Sequence, residues 1–332
     1  MRRLSTSLAR SAIGILISVV CVYLALRGVD LSQTASILGS ARLPWLGLAV
    51  LAAVGDLFFR ALRWQRLIAP IKPVPFRRLT GYMLVGYLAN NFLPARLGEL
   101  VRSHYLGDRE GISRSATLGT VVVERIVDTV VLVGIGAAAI LILNIRGVVV
   151  SAILVGIALA GLLVVALAIT LAAHRLPGGR RIGAYLGRWP RLKGVILRLR
   201  DGLRVAALPK TIAAAGILSV AAWSCTVLAV LAVGQSLDMP LTVGEGSLLA
   251  AGTNLATAIP SGPGYLGTFE YAGQTIAASF PHIDISDALW IDKALALAIL
   301  VHFLTLVVSS VGGVVSLAAL GWKHNTPAAQ KD

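Results

Sequence analysis

Three groups of residues in this chain have the types and spacing to do chemistry, and each lies within or beside an apolar run. Glu124, Arg125 and Asp128 interrupt the apolar run Thr117 to Leu143. Ionisable side chains are costly in hydrocarbon, so their presence there marks a function by default. At 1.5 Å per residue Glu124 lies about 10 Å beyond the start of such a helix, and Asp128 shares its face one turn on. Arg125 is spaced to pair with Asp128 at i,i+3. Two carboxylates against one guanidinium leave a negative charge to be met by arginines elsewhere, by a bound proton or by a cationic substrate. The alternative is a purely structural ion pair.

The second group, Arg96, Glu99 and Arg102, follows Pro94 at one-turn intervals. An arginine fork beside a helix N-terminus suits a phosphate group, because guanidinium and free backbone N–H donors converge on it. The third is the string from Pro260 to Glu270, which contains Pro263, Gly264, Gly267 and Glu270. Its glycines allow close approach of backbone to a ligand or to another helix, and its freed polar groups suit a polar path. Charges pairing at the membrane surface, and a kink made only for packing, are the structural alternatives for these two groups.

The elements that position these residues follow from composition. The chain has 332 residues, 57% apolar and 14% charged, with mean hydropathy +0.82. A soluble domain is about 45–50% apolar and about 25% charged. Apolar runs such as Val148 to Ala173 exceed the roughly 20 residues that cross a bilayer. The chain therefore reads as an all-α polytopic membrane protein, which excludes most soluble enzyme classes. Thirty Lys and Arg against fifteen Asp and Glu give +15. In a membrane protein that excess belongs to cytoplasmic loops and anionic lipid, and no nucleic-acid signature accompanies it. Cys21 and Cys225 lie in apolar runs and the five histidines are scattered. No metal-ligand spacing, phosphate loop or cofactor motif is present.

Eight apolar segments emerge: Ser11 to Leu26, Leu43 to Phe59, Leu79 to Leu93, Thr117 to Leu143, Val148 to Ala173, Thr211 to Leu237, Ser247 to Phe280 and Ala288 to Leu320. The basic start resembles a signal peptide, but its apolar run continues to Leu26 without a cleavage pattern, so it reads as a retained span. The Lys and Arg count is three at the N-terminus, six in Arg60 to Arg78, four in Arg96 to Arg114, ten in His174 to Lys210 and two in the tail. Because basic stretches stay in the cytoplasm, Leu79 to Leu93, basic on both flanks, must enter and return. Ser247 to Phe280 has no Lys or Arg in either flank, Asp238 to Gly246 or Pro281 to Asp287, and must do the same from the outside. Six full spans and two opposed re-entrant hairpins result, with both termini cytoplasmic. Asn90 and Asn91 can cap the helix that resumes after the first break at Pro94. Asn91, Pro94, Gly98 and Glu99 in one hairpin echo Asn254, Pro260, Gly267 and Glu270 in the other. That echo suggests an inverted repeat, a recurrent transporter device.

Residues 1–322 thus form one integral membrane domain with a basic loop at about 174–210 and a short cytoplasmic tail at 323–332. Within the loop, Leu192, Val195, Ile196, Leu199 and Leu203 recur at helical spacing, as in a helix lying on the inner leaflet. Asp56 is spaced to pair with Arg60, Trp64 reads as an interfacial anchor, and Lys293 can snorkel beside Asp292. His302 reads as a satisfied core histidine or a proton relay, and Gly312-Gly313 as a close helix contact.

Arg60, Arg63 and Trp64; Asn91, Pro94, Arg96, Gly98, Glu99 and Arg102; Glu124, Arg125 and Asp128; and Pro263, Gly267, Thr268 and Glu270 occur in this order. Together they resemble the flippase-like membrane region of lysylphosphatidylglycerol synthases, over about Arg10 to Leu320. The resemblance implies movement of a lipid, or its headgroup, between leaflets of a bacterial inner membrane. The synthases carry a soluble aminoacyl-transferase domain after this region; here the sequence stops ten residues beyond Trp322, so lysine transfer is not expected.

The favoured reading is a lipid translocator whose polar cavity is lined by the two hairpins. Arg96, Arg102 or Arg125 would engage phosphate, while Glu99, Glu124, Asp128 and Glu270 balance charge or carry protons. Its partner is an anionic or phosphate-bearing lipid, with a lipid-synthesis enzyme as a further partner. Two rivals stand beside it: a non-transporting scaffold for a lipid- or glycan-assembly enzyme, and an intramembrane enzyme acting on a lipid headgroup. Cysteines introduced at Ser36 and Asp284 are expected to react with a membrane-impermeant thiol reagent from outside intact cells; labelling only after permeabilisation would invert the topology.

Overall fold

The computed structural model describes residues 2–93, 97–172, 190–259, 261–280 and 288–321. Among them it contains twelve α-helices, two short 3-10 turns and no strand. The helices are α1 (Arg2–Leu26), α2 (Leu31–Gly39), α3 (Leu43–Ile68), α4 (Phe76–Phe92), α5 (Gly98–Glu110) and α6 (Arg114–Leu143). They continue as α7 (Val148–Ala172), α8 (Pro190–Leu203), α9 (Pro209–Ser236), α10 (Val243–Ala256), α11 (Thr268–Ala277) and α12 (Ala288–Leu320). The expected residues Pro94, Arg96 and Pro260, the stretch 281–287 with Asp284, much of the loop before residue 190, and the tail 323–332 lie outside the described residues.

Five helices (α3, α6, α7, α9 and α12) are long and apolar enough to cross a bilayer. The first expected span lies within α1, and its residues 14–26 meet the following helix, residues 31–39, at an angle of 86°. Asp30 makes the elbow. Its carboxylate accepts N–H groups of Ser32 (2.8 Å) and Gln33 (3.2 Å), starting a new helix. Its own N–H donates to the Asp292 carboxylate at 3.0 Å and ties α2 to the beginning of α12.

Packing follows the apolar faces. α3 lies along α9, and a buried cluster including Val230, Val233, Leu248, Leu249 and Leu297 joins α9, α10 and α12. Outward, Leu141, Leu162, Val165, Ile217 and Val315 stay exposed, the surface a bilayer requires. α8 packs on α6, with Leu203 buried and Val195 and Ile196 exposed.

The first hairpin forms and includes Asn91, Gly98 and Glu99 as expected, but it is longer than the apolar segment. Leu79 to Leu93 is a single arm, α4, and the returning arm is α5, drawn from the stretch assigned to a basic cytoplasmic connection. Hydropathy undervalues α5 because its charged side chains find their partners on another helix, α6. The two arms approach until backbone meets backbone: a Cβ on Gly98 would overlap the Gly86 carbonyl oxygen. The Asn90 side chain accepts the Gly98 N–H at 2.8 Å, capping the returning arm as its position predicts.

The second hairpin consists of α10 and α11, with a 3-10 turn at Pro263–Tyr265 between them. A capping box of Thr242 and Glu245 starts α10. Its turn packs on the end of α4, where Gly264 lies against the Asn91 carbonyl oxygen, so the two tips meet. Asn91 reaches on to α12, donating to Ser309 (3.0 Å) and Ser310 (2.9 Å). Gly312 and Gly313 of α12 rest against Leu84 and Leu88 of α4, the close contact their sequence predicts.

Gly98→Leu is expected to force the two arms apart and to cost about 1–3 kcal/mol, the range for overpacking. Thermal denaturation in detergent reads this as a lowered midpoint; Gly39→Ala, which faces open space, should leave it unchanged.

Candidate functional site

Three helices bring alternating charge to one place. On α3, Asp56, Arg60 and Arg63 recur at i, i+4 and i+7 and so share a face. On α6, Glu124 and Asp128 share another face one turn apart, with Arg125 beside them. α5 supplies Glu99 and Arg102.

Arg63 is fully buried and grips both α6 carboxylates. It pairs with Asp128 through both terminal nitrogens and lies 3.2 Å from Glu124. Arg102 forks onto Glu124 at 3.2 Å. Arg60 bonds Asp56 at 2.8 Å and reaches Asp128 at 3.6 Å. Arg125 pairs with Glu99 at 2.8 Å and lies 3.8 Å from Glu124. These eight residues amount to four guanidinium groups and four carboxylates.

α9 lines the network with neutral donors and acceptors: Ser219 bonds Arg63 at 2.7 Å, Trp223 donates to Asp128 at 3.1 Å, and Thr226 donates to Asp56 at 3.3 Å. Two guanidinium groups lie over aromatic faces, Arg60 over Trp223 at 4.5 Å and Arg102 over Trp64 at 4.9 Å. Burial grades across the network. Arg63, Arg102 and Glu124 are at most 1% exposed, whereas the Arg125 and Glu99 side chains are 31% and 22% exposed. The Arg125–Glu99 pair is the open edge.

Several expectations are corrected here. Asp128 is held by Arg63, so Arg125 is free to turn to Glu99 and does not close the i,i+3 pair with Asp128. Among the described residues the extra negative charge is met by arginines from other elements, one of the alternatives the sequence leaves open: Arg102 of α5 and Arg60 and Arg63 of α3. Arg102 is committed to Glu124 and Glu99 to Arg125, so they do not stand as a fork for phosphate after Pro94. The network is closed on itself rather than arranged around an open cavity, as unpaired charge at this depth would be expensive. The second apolar segment does not end at Phe59: its helix runs to Ile68 and carries Arg60 and Arg63 inward. Trp64 is fully buried and donates to Thr120 at 3.4 Å, so it is no interfacial anchor. The Asp56–Arg60 pair forms as spaced. Arg60, Arg63, Trp223 and Ser219 are members of the network that the sequence does not mark as site residues. The available signal is the match between i, i+4, i+7 charges on one helix and i, i+4 opposite charges on another.

Glu270 belongs to a separate site. It lies in the first turn of α11, where one carboxylate oxygen accepts the Gly267 N–H at 2.6 Å and the other lies 2.6 Å from His302 Nδ1 on α12. His302 is thus a buried histidine with its hydrogen bond satisfied by Glu270, in keeping with the sequence reading. Gly267 has φ +84°, and a Cβ there would stand 2.6 Å from the Ser18 carbonyl oxygen of α1. Only glycine fits both the conformation and the space. The Gly262 N–H donates to Ser18 Oγ at 2.8 Å. Beside this turn runs an apolar lateral groove of about 260 Å³, lined by Ile15, Val19, Val22, Pro263 and Leu266 among others.

Residues 11–313 match the model of the family described as lysylphosphatidylglycerol synthase TM region. Glycosyltransferase AglD of Haloferax volcanii is 27% identical over 344 aligned residues, which cover 92% of this chain and 54% of that protein. The chain thus spans about half the length of this relative. No solved structure matches.

Removing one member of a buried, hydrogen-bonded charge network costs about 3–5 kcal/mol, because the partner is left charged and alone. Arg63→Ala is accordingly expected to lose most folded protein on size-exclusion chromatography in detergent. Adding Asp128→Ala should recover part of that loss, and a purely additive double variant would show that the two side chains are not coupled.

Proposed function

The chain belongs to the lysylphosphatidylglycerol synthase membrane-region family, and from that premise we propose that it moves an anionic, phosphate-bearing lipid between leaflets. The observation that carries this reading is a set of unused donors within an otherwise matched network. The Tyr87 hydroxyl and the Nε atoms of Arg63 and Arg102 are buried without a hydrogen-bond partner among the described residues. Buried polar groups are nearly always satisfied, so donors left open among guanidinium groups suit the oxygens of an incoming phosphate.

In this mechanism the headgroup approaches the exposed Arg125–Glu99 edge, and its phosphate displaces Glu99 from Arg125. Each further step inward exchanges one carboxylate partner of an arginine for the phosphate, so no guanidinium is left alone in hydrocarbon. Acyl chains stay in the bilayer, with the apolar groove between α1 and the second hairpin as their path past the tip. Opening the tips alternately toward the two faces would carry the headgroup across. The setting is the cytoplasmic membrane of a bacterium, with the basic stretches and both termini inside, as loop charge favours.

The name of the archaeal relative, a glycosyltransferase, favours a second reading of the substrate as a lipid whose phosphate carries a saccharide. A role as membrane partner of a glycan-assembly enzyme is the rival that involves no transport.

Leaflet exchange of headgroup-labelled lipids in proteoliposomes decides between them, with phosphatidylglycerol, its aminoacylated form, phosphatidylethanolamine and a polyprenyl phosphate as probes. Tyr87→Phe is expected to slow exchange about tenfold, the worth of one hydrogen bond to a charged group at about 1.5 kcal/mol. It should not lower thermal stability, since its hydroxyl has no partner to lose. Arg125→Ala should slow exchange of phosphate-bearing lipids most. Folded protein that moves none of the probes would reject translocation in favour of the scaffold.

A further inference from the structure

The two hairpins treat charge differently. The first presents arginine for every carboxylate. The second carries Glu245 in the capping box at its start and Glu270 beyond its turn, and Glu270 lies 2.6 Å from the His302 imidazole of α12, with no Lys or Arg in ion-pairing distance of that pair among the described residues. The pair is enclosed: His302 is 4% exposed and its ring stacks on Phe269 at 4.4 Å between centroids. The Glu270 carboxylate thus has an imidazole, not a cationic side chain, as its charged-group neighbour, and carboxylate and imidazole can share a proton across a contact this short.

We infer that Glu270 and His302 form a proton-binding site whose occupancy controls the tip of the second hairpin. With a carboxylate and a neutral imidazole the pair carries one negative charge. One proton taken from a hydronium ion makes it neutral overall, as imidazolium–carboxylate or as its tautomer; a bond to hydrogen forms on the pair, and the O–H bond broken in the hydronium leaves water. The control is geometric. The carboxylate oxygen that does not face His302 holds the Gly267 N–H, and Gly267 begins the returning arm of the hairpin. At the other end of the turn Gly262 is bonded to Ser18 of α1, and between them Gly264 lies against Asn91 of the first hairpin. A proton on the carboxylate, or an imidazolium drawing its charge toward α12, weakens the Gly267 bond, since a charge-assisted bond is about twice as strong as a neutral one. The tip is then held less firmly on α11 and remains attached to α1.

α11 packs on α1, α10 and α12. Their other titratable residues are Arg2, Arg3 and Arg10 in the N-terminal half of α1, Cys21 and Tyr23 further along it, Glu245 on α10, and Asp292 and Lys293 on α12, with Tyr265 and Tyr271 on the hairpin itself. Glu245 is held in the capping box of α10 and Asp292 accepts the Asp30 N–H, at the far ends of their helices.

The proton site stands on its own; its coupling to transport rests on the translocation reading above, and two measurements separate them. The first is pH-difference infrared spectroscopy of the full chain in phosphatidylglycerol nanodiscs. A titrating carboxyl or carboxylate band is expected in the wild type, absent in Glu270→Gln and displaced in its midpoint in His302→Gln. The same band persisting in Glu270→Gln, or unmoved in His302→Gln, overturns the site. His302→Gln keeps a polar atom on α12 and serves where Glu270→Gln fails to fold. The second is lipid exchange in proteoliposomes under an imposed pH difference. The wild-type rate is expected to change by up to about tenfold per pH unit, the limit for one linked proton. His302→Gln should abolish that dependence. Wild-type exchange blind to the pH difference overturns the coupling while leaving translocation intact, and no exchange at all overturns translocation while the infrared result still decides the site.

Discussion

Charge at membrane depth must be met by opposite charge or by a rich set of dipoles, and most of this architecture answers that requirement. Arg63 is the centre of it. Its side chain is completely enclosed and holds Glu124 and Asp128 of α6 from α3, so neither helix can shift along the other without stripping a charge. The same demand draws in α5. A short helix with Glu99 and Arg102 has no reason to leave water by hydropathy, but Glu124 and Arg125 offer the partners it needs. Gly86 and Gly98 then allow the backbone contact that brings those partners within reach. The neutral face of α9, with Ser219, Trp223 and Thr226, completes the shell.

A closed, charge-matched network is a stable resting arrangement, and its graded burial gives it a direction. The pairs at the centre are held from several sides, whereas Arg125 and Glu99 share one contact at an edge that is already part solvated. The unsatisfied hydroxyl of Tyr87 and the unused Nε atoms of Arg63 and Arg102 are buried.

Much of the architecture can be read in the sequence because both of its rules are local. Apolar run length marks the spans, and Lys and Arg placement marks the two segments that must turn back. The Asn90 cap and the Gly312-Gly313 contact with α4 also follow from local chemistry. The errors arise where a residue's environment is set by a distant one. Arg60 and Arg63 look like the start of a basic loop because hydropathy sees their charge and not Asp128, some 65 positions on from Arg63. Trp64 looks interfacial for the same reason, until Arg102 is found stacked on it. α5 looks like a connection because its partners lie on α6. In each case the sign of the charge is plain in the sequence and its address is not. His302 is a milder example: its sequence position allows a relay role, but spacing alone cannot assign Glu270, 32 residues away, as its partner.

The elbow at Asp30 sets the mechanics of the first helix. Beyond the bend, α2 is clamped to α12 through Asp30 and Asp292; before it, the principal packing of α1 is against α11, where the Gly262 bond to Ser18 joins it to the turn. A rod pinned at one end and hooked near its middle behaves as a lever. A small displacement of the turn is passed through Ser18 and Gly14 to α1, and so to the flank of the lateral groove that Ile15, Val19 and Val22 form. The groove is thus geared to the same glycine-rich turn that touches the other hairpin.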